Sequence, residues 1–154
     1  MDEEFRQLVD TTARNKDSVY YYTAALETQL VEASAANHSV TVELTIQETE
    51  IGPAGVLDEG LVSTITDFWT STLITAVNGG RGALTTTLNV QALKPVCPGT
   101  KIHVICSATA PNSRPMPFAT ARFVSATDHN DVLAVATHTK FFKAATSQHV
   151  KFAQ

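Results

Sequence analysis

The sequence is low in charge and in cysteine. Only 17% of its 154 residues are charged, and the formal net charge is −4. We therefore expect no nucleic-acid partner, because binding to a phosphate backbone depends on clustered lysine and arginine. Two cysteines, Cys97 and Cys106, are too few for a disulfide framework and lack metal-ligand spacing. The length is enough for one domain with a buried core.

Several sequence signals are also missing. The apolar segment 61–77 is too short and too rich in threonine to cross a bilayer, so we expect no membrane insertion. The first ten residues, MDEEFRQLVD, contain no apolar signal-peptide core, which predicts a cytoplasmic protein and leaves a mitochondrial location open. The nucleophile motif G-x-S-x-G is absent, and the five histidines have no metal spacing. We expect neither a metal nor a cofactor.

Hydrophobic periodicity divides the chain into helices and strands. Residues 2–15 have apolar side chains at helical spacing and predict an amphipathic helix, whereas residues 18–36 fit either a helix or an extended segment. Residues 40–47 alternate between apolar and polar, which is typical of a strand. A long apolar helix is predicted from about Leu57 to Asn78, and four strand patterns with short connections follow. This order predicts an α+β fold, an antiparallel sheet wrapped around the central helix.

One charged residue, Asp67, interrupts the apolar helix. Gly60, Thr64, Asp67 and Ser71 are spaced by four, three and four residues, so they form one narrow polar stripe. Unpaired N–H groups near Gly60 favour developing negative charge. From spacing alone, Asp67 is either a catalytic carboxylate or a carboxylate bonded to neighbouring hydroxyls at a wet edge of the helix.

Three motifs together resemble the hotdog-fold thioesterases, and most closely their phenylacetate-pathway (PaaI) branch. The first is the Leu57-Asp58-Glu59-Gly60-Leu61 opening of the helix, followed by Asp67. The others are the strand sequence TTTLNVQALKPVCPG and the closing strand LAVATHTKFF. The resemblance covers roughly residues 40–142. It implies a hotdog domain at 38–143, an N-terminal helical extension at 1–37 and a tail at 144–154.

This resemblance implies hydrolysis of acyl-CoA thioesters to free acid and CoA, with a role for each matched residue. Asp67 activates the attacking water, and Thr85 helps to orient it. Backbone N–H groups at Glu59 and Gly60, supplied by a partner subunit, hold the thioester carbonyl oxygen. A homo-oligomer, a dimer of dimers, is therefore expected, with coenzyme A present only as part of the substrate. The residues implied in substrate or CoA binding are Asp58, Lys94, Pro95, His138 and Lys140.

The helix opening departs from the family pattern of Leu-His-Gly-Gly-Leu. Asp58 and Glu59 replace the histidine and the first glycine, and two acids beside the carbonyl site disfavour charge build-up on the carbonyl oxygen. Lower activity is expected, and the opposing hypothesis is a hotdog protein that binds acyl-CoA or another apolar ligand with little or no catalysis. A hotdog dehydratase or hydratase ranks last, because the helix lacks the His and Asp spacing of those enzymes.

Overall fold

The computed structural model describes residues 2–14, 27–109 and 116–142, which form two α-helices and six β-strands. The helix and strand order predicted from the sequence is present, with one further strand near the N-terminus. The elements in chain order are α1 (Asp2–Ala13), β1 (Gln29–Ser34), β2 (Ser39–Thr45), α2 (Glu59–Val77), β3 (Leu84–Ala92), β4 (Lys101–Ala108), β5 (Phe118–Ser125) and β6 (Val132–Phe141).

The six strands form one antiparallel sheet in the order β1-β2-β4-β5-β6-β3. Side chains alternate between the two faces of a strand, so each strand has one inward set. In β4 that set is Ile102, Val104 and Cys106, all fully buried. α2 packs against this apolar face and contacts five strands, β2 to β6. The predicted sheet around one apolar helix is confirmed. β3, at the edge of the sheet, is exposed along most of its length.

Capping residues set both ends of α2. The Asp58 side chain accepts a hydrogen bond from Leu61 N at 3.0 Å, so the helix begins one residue later, at Glu59. Asn78 is the C-cap, and Gly79 and Gly80 follow with φ of 65° and 86°, which glycine adopts without steric cost. The predicted apolar stripe is buried throughout. Its members are Val62, Ile65, Trp69, Leu73 and Ala76.

The N-terminal segment is partly helical and partly extended. The predicted helix is confirmed as α1, which buries Phe5 and Val9 but leaves Leu8 exposed. Residues 29–34, for which the sequence fits either a helix or an extended segment, are extended: they form β1, paired with β2, so the N-terminal extension is helical only in part. Arg6 connects α1 to this strand through hydrogen bonds from its guanidinium to Val31 O and Leu30 O at 2.7 and 2.9 Å.

Two parts of the sequence-based picture lie outside the described residues. They are residues 18–26, the first part of the segment that fits either a helix or an extended conformation, and the predicted tail at 144–154. Within the described ranges, neither helix has the length and apolar character needed to cross a membrane.

Candidate active site

The polar stripe predicted along α2 is present. Thr64 Oγ1 donates a hydrogen bond to Gly60 O at 2.8 Å, and further along the helix Ser71 Oγ donates to Asp67 Oδ1 at 3.2 Å. The Asp67 side chain is 28% exposed. Its carboxylate therefore lies where the buried face of α2 meets solvent, and neighbouring strands supply the rest of its surroundings.

Strands β6 and β3 bring three polar side chains to Asp67. His138 and Lys140 are two residues apart on β6, so both point inward, and Thr85 on β3 pairs with Lys140. Lys140 Nζ donates to Ser71 Oγ at 2.8 Å and to Thr85 Oγ1 at 3.2 Å, and it lies 3.9 Å from Asp67 Oδ1. His138 Nε2 lies 3.6 Å from the same carboxylate oxygen.

The proton on His138 can be assigned from contact lengths. Thr70 Oγ1 lies 2.6 Å from Thr66 O and 2.6 Å from His138 Nδ1. Two oxygens this close require a hydrogen between them, so the Thr70 hydroxyl donates to the Thr66 carbonyl. His138 Nδ1 must then carry a hydrogen and donate it to Thr70. In a neutral ring, Nε2 is left as an acceptor.

This tautomer decides the direction of the Thr85 hydroxyl. Thr85 Oγ1 lies 2.9 Å from His138 Nε2 and 3.4 Å from Asp67 Oδ1, and it has only one hydrogen to donate. The shorter contact, to the lone pair of Nε2, takes that hydrogen. Lys140 uses one lone pair of Thr85 Oγ1. The second lone pair remains for a bound molecule, so Thr85 presents an acceptor beside Asp67.

The two oxygens of Asp67 differ in their surroundings. Within the described residues, Ser71 donates to Oδ1 and the Lys140 ammonium lies 3.9 Å from it, while Thr85 Oγ1 and His138 Nε2 lie near the same oxygen without donating to it. Oδ2 has no partner in this part of the chain. A carboxylate with one anchored oxygen and one open oxygen is suited to take a proton from water.

Burial keeps His138 neutral. The pKa of His138 is lowered from 6.5 to about 4, first by burial and then by the charge of Lys140, while Asp67 opposes the shift. Burial also lowers the pKa of Lys140, and Asp67 again opposes it. A neutral imidazole is consistent with the tautomer derived from the contact lengths.

The start of α2 combines open backbone donors with two acids. Asp58 takes the Leu61 N–H, and the first intrahelical bond runs from Val62 N to Asp58 O. The N–H groups of Glu59 and Gly60 precede that bond and have no partner among the described residues. A cavity of about 250 Å³ opens here, lined by Gly52, Pro53, Val56, Leu57, Asp58 and Glu59.

Of the residues predicted to bind substrate or CoA, Asp58 lines this cavity, and Lys94 and Pro95 lie next to it. Pro95 is exposed and forms an isolated β-bridge with Val56, a cavity residue. Lys94 next to it pairs with Asp131 at 2.8 Å on the surface. Their contact with CoA stays a prediction.

The other pair, His138 and Lys140, is buried. His138 is 0% exposed and Lys140 3%, and both are bonded around Asp67. Solvent reaches neither side chain in this structure, and their contact with CoA also stays a prediction. The sequence did indicate that His138 and Lys140 share one face of the strand, since residues two apart on a strand point to the same side.

Other parts of the site were not foreseen from the sequence. Thr70 was not identified, because only the contact between α2 and β6 reveals that it faces His138. Ser71 was placed on the stripe without a partner on β6. Among the residues the structure describes, His, Cys, Asp and Glu side chains form no group of three or more placed to bind a metal.

Comparison with known proteins gives structural matches only. No protein-family model matches the sequence, and no curated protein sequence matches it significantly. Thioesterase superfamily member 2 from Mus musculus superposes with a TM-score of 0.73 at 18% identity, covering 93% of this chain and 100% of that one. PaaI of the Escherichia coli phenylacetic acid degradation operon gives 0.73 at 11% identity, covering 94% and 97%.

The chain has the hotdog fold. A third hotdog match is a Streptococcus mutans protein solved with acetyl CoA bound, with a TM-score of 0.64 at 15% identity and coverage of 77% and 90%. The fold predicted from the resemblance is confirmed. At these identities the matches establish the hotdog architecture, and the chemistry must be argued from the residues of this chain.

Proposed function

We propose that the protein hydrolyses acyl-CoA thioesters, with Asp67 as the general base. The observation that carries this proposal is the environment of the Asp67 carboxylate, anchored at Oδ1 and open at Oδ2, beside a Thr85 oxygen that accepts hydrogen bonds. The fold is shared with thioesterase superfamily member 2, and another structural match was solved with acetyl CoA bound. This likeness supports the same class of ligand.

The two acceptors fit a single attacking water. One water hydrogen is donated to Asp67 Oδ2 and the other to the free lone pair of Thr85, which leaves a water lone pair for the thioester carbonyl carbon. Asp67 removes the first proton as the carbon–oxygen bond forms. The carbon–sulfur bond then breaks, and Asp67 returns the proton to the CoA sulfur. A positioned base contributes about 10²–10⁴ in rate.

The carbonyl oxygen is held by a second chain. Asp67 is seven residues from Gly60, or about 10 Å along the helix axis at 1.5 Å per residue, too far for both to act on one carbonyl. A two-fold partner would bring its own Glu59 and Gly60 N–H groups to this Asp67. The exposed edge strand β3 supports such a pairing, since its outer edge has backbone groups that no described strand bonds. A dimer of dimers remains part of the proposal.

The test is release of free CoA from a panel of acyl-CoAs by the wild type and by Asp67→Asn. We expect turnover by the wild type and a loss of about a hundredfold or more in the variant. Asp10→Asn is the matched control, because Asp10 is a half-buried acid on α1, away from the site, whose only described ion pair is with Arg14, the residue after this helix. Equal rates in Asp67→Asn and the wild type would refute the role of Asp67.

A second candidate function is binding of acyl-CoA without efficient hydrolysis. It is favoured by the Asp58 carboxylate bonded to Leu61 N, with the exposed Glu59 beside it, because both place negative charge where an oxyanion would develop. For a binding protein, no thioester would be turned over, while a CoA ester would still raise the melting temperature.

A further inference from the structure

Lys140 is the most deeply buried cation near the site. It is 3% exposed, lies on β6, and directs its ammonium toward Ser71, Thr85 and Asp67. Burying a charge costs several kcal/mol unless it is paired and hydrogen-bonded. Two hydroxyl acceptors and one carboxylate satisfy it here. Since it does not reach solvent, it is not a surface anchor for substrate.

The ammonium fixes the direction of the Ser71 hydroxyl. An ammonium group only donates, so at 2.8 Å Ser71 Oγ must accept from Lys140 Nζ. The single Ser71 hydrogen is then directed to Asp67 Oδ1 at 3.2 Å. Without the ammonium, the Ser71 hydroxyl is free to turn to its own helix backbone, as Thr64 and Thr70 do on the same helix.

We infer that Lys140 is a positioning residue for the base: through Ser71 and by its own charge it holds Asp67 Oδ1, so that Oδ2 is the oxygen that meets water. This inference rests on the proposed thioester hydrolysis. Lys140 does not touch the reacting atoms and acts only through Asp67 and the hydroxyls. Its removal therefore changes the protonation and orientation of the carboxylate, which a lysine with a purely structural role would not do.

Among the residues that the structure describes, few titratable groups lie around Lys140, and Arg81 lies 4.6 Å from the ring centroid of Phe142, two residues after Lys140. α2 contributes Asp67, with Glu59 two turns away at the helix start, and β6 contributes His138. β3 has no titratable side chain, and Arg122 of β5 is separated from the inward face by its register opposite Val135. A change in the titration of Asp67 on removing Lys140 can therefore be assigned to this contact.

The first experiment measures the Asp67 carboxyl directly. The side-chain carboxyl carbon of Asp67 is titrated by ¹³C NMR in the full-length wild type, Lys140→Met and Ser71→Ala. We expect the midpoint to be higher in Lys140→Met than in the wild type, because the variant lacks the cation that lies 3.9 Å from Asp67 Oδ1. Ser71→Ala should give a smaller rise in the Asp67 midpoint. This variant tests the hydrogen bonds from Lys140 through Ser71 to Asp67 without removing a large buried side chain.

The controls separate the charge of Lys140 from its bulk. Lys140→Arg keeps a cation and should titrate close to the wild type. Lys101→Met removes a lysine that also pairs with a carboxylate, Glu43, but whose side chain is 61% exposed, and it should leave the Asp67 titration unchanged. An unchanged Asp67 midpoint in both folded Lys140→Met and Ser71→Ala would overturn the inference.

The second experiment uses turnover. We expect Lys140→Met to lower kcat about tenfold with little change in KM, and to move the acidic limb of the pH–rate profile to higher pH. The double variant with Ser71→Ala should lose less than the product of the two single losses, because both act on the same carboxylate. If the wild type shows no turnover, the proposed function fails, while the NMR titration still decides the role of Lys140.

Discussion

Asp58 and Gly60 constrain each other at the start of α2, because a Cβ atom added to Gly60 would lie 2.9 Å from Asp58 Oδ1. The same oxygen accepts the hydrogen bond from Leu61 N. Gly60→Ala must therefore displace the capping carboxylate. The weakened N-cap, about 1 kcal/mol, and the better helix propensity of alanine, also about 1 kcal/mol, have opposite signs, so we expect little net change in the free energy of unfolding.

A double-mutant cycle in urea tests this coupling. In an Asp58→Gly background no carboxylate remains to be displaced, so Gly60→Ala should stabilise the protein by about 1 kcal/mol, the gain in helix propensity alone. Additive effects of the two substitutions would show that the glycine is needed for another reason.

The two acids at the helix start should limit catalysis. Glu59→Gly removes one negative charge next to the proposed oxyanion donors, and Asp58→Asn removes the other while keeping a good capping side chain. We expect each variant to raise kcat on a neutral acyl-CoA about three- to tenfold, and less at high salt. Glu48→Gln, an exposed acid in the Glu48–Glu50 turn, is the control. Rates that stay at the wild-type value would mean that these acids do not face the carbonyl oxygen.

His138 should make the protein less stable in acid. Its pKa is about 4 in the folded protein and 6.5 when exposed, so between these values the unfolded chain binds a proton that the native chain does not. Stability therefore falls as pH drops from 6.5 to 4, by about 3 kcal/mol in total from this group. Urea unfolding at several pH values should show a shallower acid slope in His138→Gln.

A control for that measurement is His38→Asn. His38 is not part of the network and has φ of 46°, a conformation that asparagine tolerates. We expect this variant to keep the wild-type slope. A wild-type slope in His138→Gln would show that His138 binds its proton over the same pH range in the native and unfolded chains.

Thr66 should tolerate loss of its hydroxyl. The residue is fully buried, and its Oγ1 has no hydrogen-bond partner among the described residues. An unpaired buried hydroxyl costs about 1–3 kcal/mol, so Thr66→Val should raise the free energy of unfolding. At about 2–4 °C per kcal/mol for a chain of this size, the melting temperature rises by several degrees. Thr70→Val, which removes a bonded hydroxyl, should lower it.

The sequence predicts the elements well where local pattern decides them. Neighbouring residues alone indicate the apolar helix α2, its glycine ending, and the alternation in β2 and β6. All of these features appear in the structure. The sequence of β1, QLVEAS, suits a helix as well as a strand, so local pattern alone does not decide its conformation. Its strand conformation comes from pairing with β2, a long-range contact that local propensity does not contain.

The site follows the same rule. The stripe of Asp67 and Ser71 on α2 could be derived from helical spacing. The burial of His138 and Lys140 could not, because it requires knowing that β6 passes beneath that stripe with this register. The resemblance implies substrate or CoA binding for both residues, and the strand register adds that both side chains are buried.

The active site also depends on which alternate residues of β6 point toward α2. Residues 136, 138 and 140 face α2, whereas 135, 137 and 139 face away. A single-residue insertion early in this strand would turn His138 and Lys140 outward and Thr137 and Thr139 inward. The chemistry could thus be lost with every one of its residues still present. In a related chain, a histidine and a lysine two residues apart on this strand identify the site only if the lysine is paired across the sheet with a threonine of β3, as Lys140 is with Thr85.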